Sequence, residues 1–259
     1  MNQNLTKNEC KQAIEAWKLS KADYSEIKNL ISPTSVFHFD RKSCDWVNKH
    51  NKNKRFYTYI GVHDAQLVLI VVPLDKKGKE EDLSSYLAIP LTPLDKDLIL
   101  LEKEETVSVK KITLSKHLKI KSVCEEVELP VYNEPAITES ISLSEVEQWK
   151  DQCLDWFYHE CTDYKGKRIF NTFTVPFADL IEGIEDHGVI CLFALKNSDI
   201  YNRLIPVLIF VAVNSTTMQG QMMRSTINAR GAETVSNTYD WSRPCPPFCR
   251  EPPDEDLFS

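Results

Sequence analysis

Leu69-Ile-Val-Val-Pro-Leu-Asp75 and Leu208-Ile-Phe-Val-Ala-Val-Asn214 share one pattern, Leu-Ile-x-Val-x-aliphatic-Asx, at a separation of 208 − 69 = 139 residues. Each is an unbroken apolar run that stops at a turn former, which reads as a buried strand. A second strand candidate precedes each run: Arg55-Phe-Tyr-Thr-Tyr-Ile-Gly-Val62 in the first half and Gly188-Val-Ile-Cys-Leu-Phe-Ala-Leu195 in the second. The links between them are short (His63-Asp64 and Asn197-Ser-Asp199), so each pair reads as a hairpin.

Further elements recur in the same order. Asp40 precedes Cys44 and Val47, and Pro176 precedes Leu180, Ile181 and Ile184 at helical spacing, with proline suited to a first turn where no amide hydrogen is needed. Each short helix is entered from an apolar strand, residues 36–39 or 169–175. Each half opens on a capping box, Leu5-Thr6-x-x-Glu9 and Leu143-Ser144-x-x-Glu147, in which a hydroxyl and a carboxylate satisfy orphan amides of a helix start. Cys10, Ala13, Ile14 and Trp17 then share one helical face, as do Val146, Trp149, Cys153 and Trp156.

The expected fold class is therefore α+β: two related helix–strand–helix–strand–strand units, mainly antiparallel, with a β-rich segment between them. The first unit covers residues 1–79. Residues 80–140 hold short β-rich runs (86–91, 98–101, 106–114 and 127–132) separated by charge, and a linker at 133–139. The second unit covers 141–238, with an irregular excursion from 215. Residues 239–259 form a tail rich in proline, cysteine and acid.

Composition bounds the class of molecule. The 259 residues are 42% apolar and 27% charged, enough for a sizeable core and ordinary for a globular protein. The longest apolar stretches, 67–74 and 204–213, fall short of the roughly 20 residues a bilayer span needs. Lys7, Glu9 and Lys11 interrupt the place a secretory signal would occupy, so a cytoplasmic location is expected. Six of the eight cysteines (10, 44, 124, 153, 161 and 191) lie in apolar-patterned segments and read as buried, reduced thiols. Net charge is −7 but unevenly placed: residues 1–79 hold 14 Lys+Arg against 8 Asp+Glu, and the remainder 17 against 30. Such asymmetry favours docking of the two parts, or of two copies; the alternative is uneven scatter of solvated charge.

Chemistry-bearing patterns are sparse. The seven glycines form neither of the phosphate-cradling loops nor a nucleophile elbow, so no cofactor is expected. Cys153, His159 and Cys161 lack the paired short spacings of a zinc site and read as helix-end packing, so no metal is expected either. His38, His63 and His187 sit on a strand, at a turn and at a helix end, and sequence alone assembles none of them into a catalytic group. Lys49-His-Asn-Lys-Asn-Lys-Arg55 followed by Phe56, Tyr57 and Tyr59 combines basic charge with aromatics as single-strand binders do, but it also fits a solvated loop between a helix and a strand.

The tail is the segment least explained by packing. Tyr239, Trp241, Cys245, Phe248 and Cys249 are the candidate binding residues, in a stretch stiffened by Pro244, Pro246 and Pro247 and followed by Asp254-Glu-Asp-Leu-Phe258. Residues 142–249 resemble an uncharacterised family of short bacterial α+β proteins. The resemblance lies in the capped helix with its tryptophans, the hairpin ending Val211-Ala-Val213-Asn214, and above all the closing Pro244-Cys-Pro-Pro-Phe-Cys249, which looks like that family's Pro-Cys-Pro-Pro-x-Cys signature. Ala212 and Asn214 depart from its usual Val-Gly-Val-Asp, and the resemblance implies no activity. The expected function is a non-enzymatic protein–protein interaction module that uses its tail on its own body or on a partner, or for self-association. The alternatives are an enzyme with a site between the halves and, more weakly, nucleic-acid binding through residues 49–55.

Overall fold

The computed structural model describes residues 2–94, 96–100, 107–114, 120–127, 139–177, 180, 187–198, 201–214, 219–222 and 243–247. The first part runs β1 (Gln3–Thr6), α1 (Lys7–Ser20), α2 (Tyr24–Leu30), β2 (Ser35–Phe39), α3 (Arg41–His50), β3 (Arg55–His63), β4 (Gln66–Val72) and β5 (Ser85–Pro93). Three short strands follow, β6 (Ile99–Leu100), β7 (Val107–Leu114) and β8 (Ile120–Val127). The second part runs α4 (Glu139–Tyr164), β9 (Thr172–Pro176), β10 (His187–Ser198), β11 (Arg203–Asn214), β12 (Gln219–Met222) and β13 (Arg243–Cys245).

One large, mostly antiparallel sheet carries the fold, in the order β13-β9-β3-β4-β5-β2-β10-β11-β12-β6, with β1 on β5. Among the described strands only the contact of β12 with β6 is parallel. The sheet nearly closes, because β13 at one end comes alongside β11 near the other. β7 and β8 pair separately. The class α+β thus holds, and both hairpins form where the apolar runs place them. Asp64 and Ala65, both at positive φ (49° and 60°), join β3 to β4 in a two-residue turn whose twist suits a hairpin.

Both apolar runs read as unbroken because both faces of their strands are covered. One face, with Phe56, Ile60, Leu69, Phe173, Phe193 and Phe210, packs into a single large core that also receives Trp17, Trp149, Cys153 and Phe157 from the helices. The opposite face divides in two. Tyr59, Val68, Ile70 and Tyr86 lie under Cys10, Ala13 and Ile14 of α1. Val36, Ile190, Val207, Ile209 and Val211 form the counterpart, against which α4 places Val146. Gly61 lets α1 approach closely, since a Cβ there would stand 2.9 Å from that of Ala13.

The two halves interleave. β9, from the second part, pairs with β3 of the first; β2, from the first, pairs with β10 of the second. β5 joins β4 on one side and β2 on the other. Residues 85–93, expected in the intervening segment, are thus central to the sheet.

Local expectations fared differently. The first capping box is formed: Thr6 N–H donates to Glu9 Oε2 at 2.7 Å and Glu9 N–H to Thr6 Oγ1 at 3.3 Å. The second is not, because α4 already begins at Glu139 and Ser144 lies within it. Asp40 caps α3 by accepting from Ser43 N–H at 2.8 Å. Of the helix expected after Pro176, Leu180 is described as helical and 181–186 lie outside the described residues, as does the linker 133–138. Of the strand expected at 127–132, Val127 closes β8 and residues 128–132 lie outside the described residues.

α4 leaves its last turn through Lys165 and Gly166, both with positive φ (53° and 69°). A Cβ on Gly166 would fall 2.2 Å from the Lys21 carbonyl oxygen, whereas one on Gly78 (φ 83°) would meet nothing nearer than 3.8 Å. Gly78→Ala should cost about 1 kcal/mol, the backbone penalty alone. Gly166→Ala should cost at least about 2 kcal/mol, because the ends of α1 and α4 must also move apart. Urea unfolding of the two variants checks this, and equal losses would contradict it.

Candidate functional site

Three places draw functional residues together, and all involve the second half. The first is the anchorage of the tail. Arg243, Pro244 and Cys245 pair antiparallel with Thr174, Phe173 and Thr172, and Pro244 is buried. Asn171 is the fixing point. Its N–H donates to the Cys245 carbonyl at 2.7 Å, its own carbonyl accepts from Ile60 N–H at 2.8 Å, and its Oδ1 accepts from Lys21 Nζ at 2.7 Å. Lys21 also donates to the Ile169 carbonyl, and burial together with the neighbouring Lys18 pulls its ammonium down to about 8. Of the candidate binding residues, Cys245 is thus placed, half-buried and disulfide-bonded. Tyr239, Trp241, Phe248 and Cys249 lie outside the described residues.

The second place is a cavity of about 630 Å³ bounded by Pro33 to Val36, Leu94, Leu192, Phe193 and the Leu143–Lys150 side of α4. It exists because α4 turns its large side chains the other way. Trp149 stacks on Phe193 at 4.6 Å, and Cys153 and Phe157 follow it into the main core. The walls are mostly apolar, with Ser144, Glu147 and Lys150 among the polar groups. Beside it, on the Trp149 face, Glu145 is 8% exposed and its Oε2 has no hydrogen-bond partner. Burial pushes this carboxyl up to about 7, against the pull of Lys196.

The third place lies at the C-terminal end of α4. Glu160, 4% exposed, accepts from Arg168 Nη2 at 3.0 Å. Arg168 lies over the Tyr164 ring at 3.7 Å, and Arg203, at the start of β11, lies 5.7 Å from the Tyr201 ring. Burial raises the Glu160 carboxyl while both arginines pull it down. Sequence reading missed this group, since its members are distant along the chain and no local pattern joins them.

The other candidates are explained by packing. His159 is exposed and 3.7 Å from Asp163, whereas Cys153 and Cys161 are buried, and the Cys161 thiol donates to the Lys21 carbonyl. Among the described residues no group of His, Cys, Asp and Glu is arranged to hold a metal ion. In the basic stretch, Lys52 pairs with Glu81, Asn51 bonds Leu74 N–H, Phe56 is buried, and Tyr59 is buried with its hydroxyl on Glu80. Phe56 and Tyr59 thus support the sheet, and Tyr57 on the same strand is half-buried. No helix among the described residues is long and apolar enough to cross a membrane.

Two outcomes follow from burial. Cys10, Cys44, Cys153, Cys161 and Cys191 are buried and unbridged, and burial pushes the Cys10 and Cys44 thiols up to about 12 and Cys153 to about 11. Thiol reagents at pH 8 should leave these five largely unlabelled until denaturant is added, because the reactive thiolate is scarce and shielded; rapid native labelling would contradict this. Glu145, with its folded pKa raised above the unfolded value, contributes full stability below about pH 4.5 and loses it as pH rises through about 7. Glu145→Gln should therefore remove on the order of 2 kcal/mol of the stability difference between pH 4 and pH 8. Parallel pH profiles for the variant and the parent would exclude that role.

No family model matches this chain, and no curated protein or solved structure matches it.

Proposed function

We propose that the chain is a non-enzymatic protein–protein interaction module whose C-terminal segment is moored to its own sheet and presents the proline-rich, acidic remainder to a partner. The observation that carries this reading is the pairing of β13 with β9. A segment added to a sheet edge gains main-chain hydrogen bonds without needing a deep pocket, which is a common way for sheets to hold peptides. Its prolines reduce the freedom lost on docking. Beyond it, Glu251, Asp254, Glu255 and Asp256 would offer a basic partner a concentrated negative charge.

The same reading takes the body as a tandem repeat, 1–79 and 141–238, with an exchanged strand. Matching Leu69 to Leu208 sets Ile60 against Phe193 through the two hairpin registers. The same alignment carries Thr58 to Cys191, which makes the facing residues Phe173 and Phe37 equivalent, and both are buried phenylalanines. The sequence pattern matched these two strands only as whole segments, and the residue-level agreement of their registers supports the repeat.

A second reading is favoured by the cavity. Its lining comes from both halves, Pro33 to Val36 and Leu94 from one and Leu143, Val146 and Leu192 from the other. Its volume falls in the range of small-molecule sites, which is where an enzyme built between the halves would hold its substrate.

The tail is tested by two measurements on the full chain and on a chain ending after residue 242. Hydrogen exchange at the Asn171 amide should be slow in the full chain and faster in the shorter one, since Cys245 supplies its acceptor. A chain ending after 247 should keep that protection and lose partner capture from the native cell. Equal exchange in all three chains would remove the mooring, and undiminished capture by the chain ending after 247 would remove the recruiting role of the acidic end.

A further inference from the structure

Where α4 ends, two guanidinium groups face one buried carboxylate. Glu160 is 4% exposed; its Oε1 takes the bond from Arg168 at 3.0 Å and its Oε2, also buried, has no hydrogen-bond partner. Arg203 makes no hydrogen bond or ion pair among the described residues, and its Nε is buried and unpartnered, as is that of Arg168. Partial burial, and then the like charge of Arg168, lower the Arg203 guanidinium, which Glu160 only partly offsets. Asp163, the other acid nearby, is more than half exposed and stands beside His159.

This arrangement is physically unfinished. A partly buried cation that has left water without gaining an acceptor is destabilising, and proteins rarely keep one without a use. The tyrosines do not supply the acceptor. Stacking takes up the face of a guanidinium and leaves its N–H edges in the plane, where they suit the paired oxygens of a carboxylate or phosphate. Glu160 uses one nitrogen of Arg168 and leaves other donors unspent. Tyr164 and Tyr201, 43% and 40% exposed, keep the place open to solvent.

We propose that Arg168 and Arg203 form a binding site for the oxyanion group, phosphate or carboxylate, of a small molecule, entered between Tyr164 and Tyr201. Glu160 is the positioning residue that holds Arg168 in place, and its unbonded Oε2 can accept a hydrogen bond from a hydroxyl or amine on the same ligand. None of these residues belongs to the moored strand β13 or lines the apolar cavity.

Calorimetric titration of the full chain at constant ionic strength tests it, with inorganic phosphate in one arm and succinate in the other. Saturable binding in either arm supports the site, and the arm that saturates distinguishes a phosphoryl from a carboxylate ligand. Arg203→Gln should weaken that binding by about tenfold or more. It should also leave the melting temperature in anion-free buffer unchanged or higher, because an uncompensated charge has been removed. Absence of saturation in both arms, or binding unaffected by Arg203→Gln, overturns the proposal. A third arm carries Asp254→Asn, Glu255→Gln and Asp256→Asn together: binding that emerges only in this variant would mean that the chain's own acidic end fills the site, and the small-molecule assignment would fall.

Discussion

The five residues of β2 hold the two halves of this protein together. Phe37 stands opposite Leu91 of β5 on one side and Cys191 of β10 on the other, and its ring meets Phe193 at 5.4 Å. Main-chain pairing on both edges and complete burial of Phe37 and Phe39 leave this strand little freedom to shift. A slip of one residue would turn both phenylalanines outward and bring His38 into the core. Because β10 is then fixed, so is the cavity wall it supplies through Leu192 and Phe193, and β11 is fixed through a twelve-residue ladder that sets the position of Arg203.

The sequence made the repeated strands legible because burial on both faces writes itself as a continuous apolar run, which few other environments produce. It left shorter elements unread. α2 buries only Ile27, so it has almost no periodicity to detect, although Asp23 capping Ser25 N–H was a usable local sign. β1 is four residues on a sheet margin, and its pairing with β5 depends on chain separated by some eighty positions. The reading of Ser144 as a cap failed for a related reason. A hydroxyl three residues before a glutamate fits a helix start, but the pattern does not say whether a helix is already under way, and α4 was.

The candidate sites divide in the same manner. The expectation of a docked tail over residues 239–249 rested on Tyr239, Trp241 and Phe248 in a proline-stiffened stretch; residues 243–245 pair with β9, and those three aromatics lie outside the described residues. The Glu160, Arg168 and Arg203 group could not be read, since it is assembled by the left-handed exit of α4 through Lys165 and Gly166 and by the turn that leads into β11. Charge that converges in space from separate loops leaves no spacing signature, whereas metal loops and phosphate loops do.

Strand exchange also bears on why the tail is moored at all. β2 is covered on its far edge by β5, a strand of its own half, and β9 would leave the corresponding edge bare. An uncovered edge in an otherwise paired sheet invites association with other chains. β13 covers it, lying on β9 in the antiparallel sense in which β5 lies on β2, while β12 lies on β11 as β5 lies on β4. On the repeat reading, one strand of the first half does the work that two separate segments share in the second. The chain between β12 and β13 is then an insertion at the point where the first half runs straight through. Cys245 and Pro244 would be retained for closing the sheet whatever the remainder of the tail recruits, so the mooring and the recruitment are physically separable tasks carried by neighbouring residues.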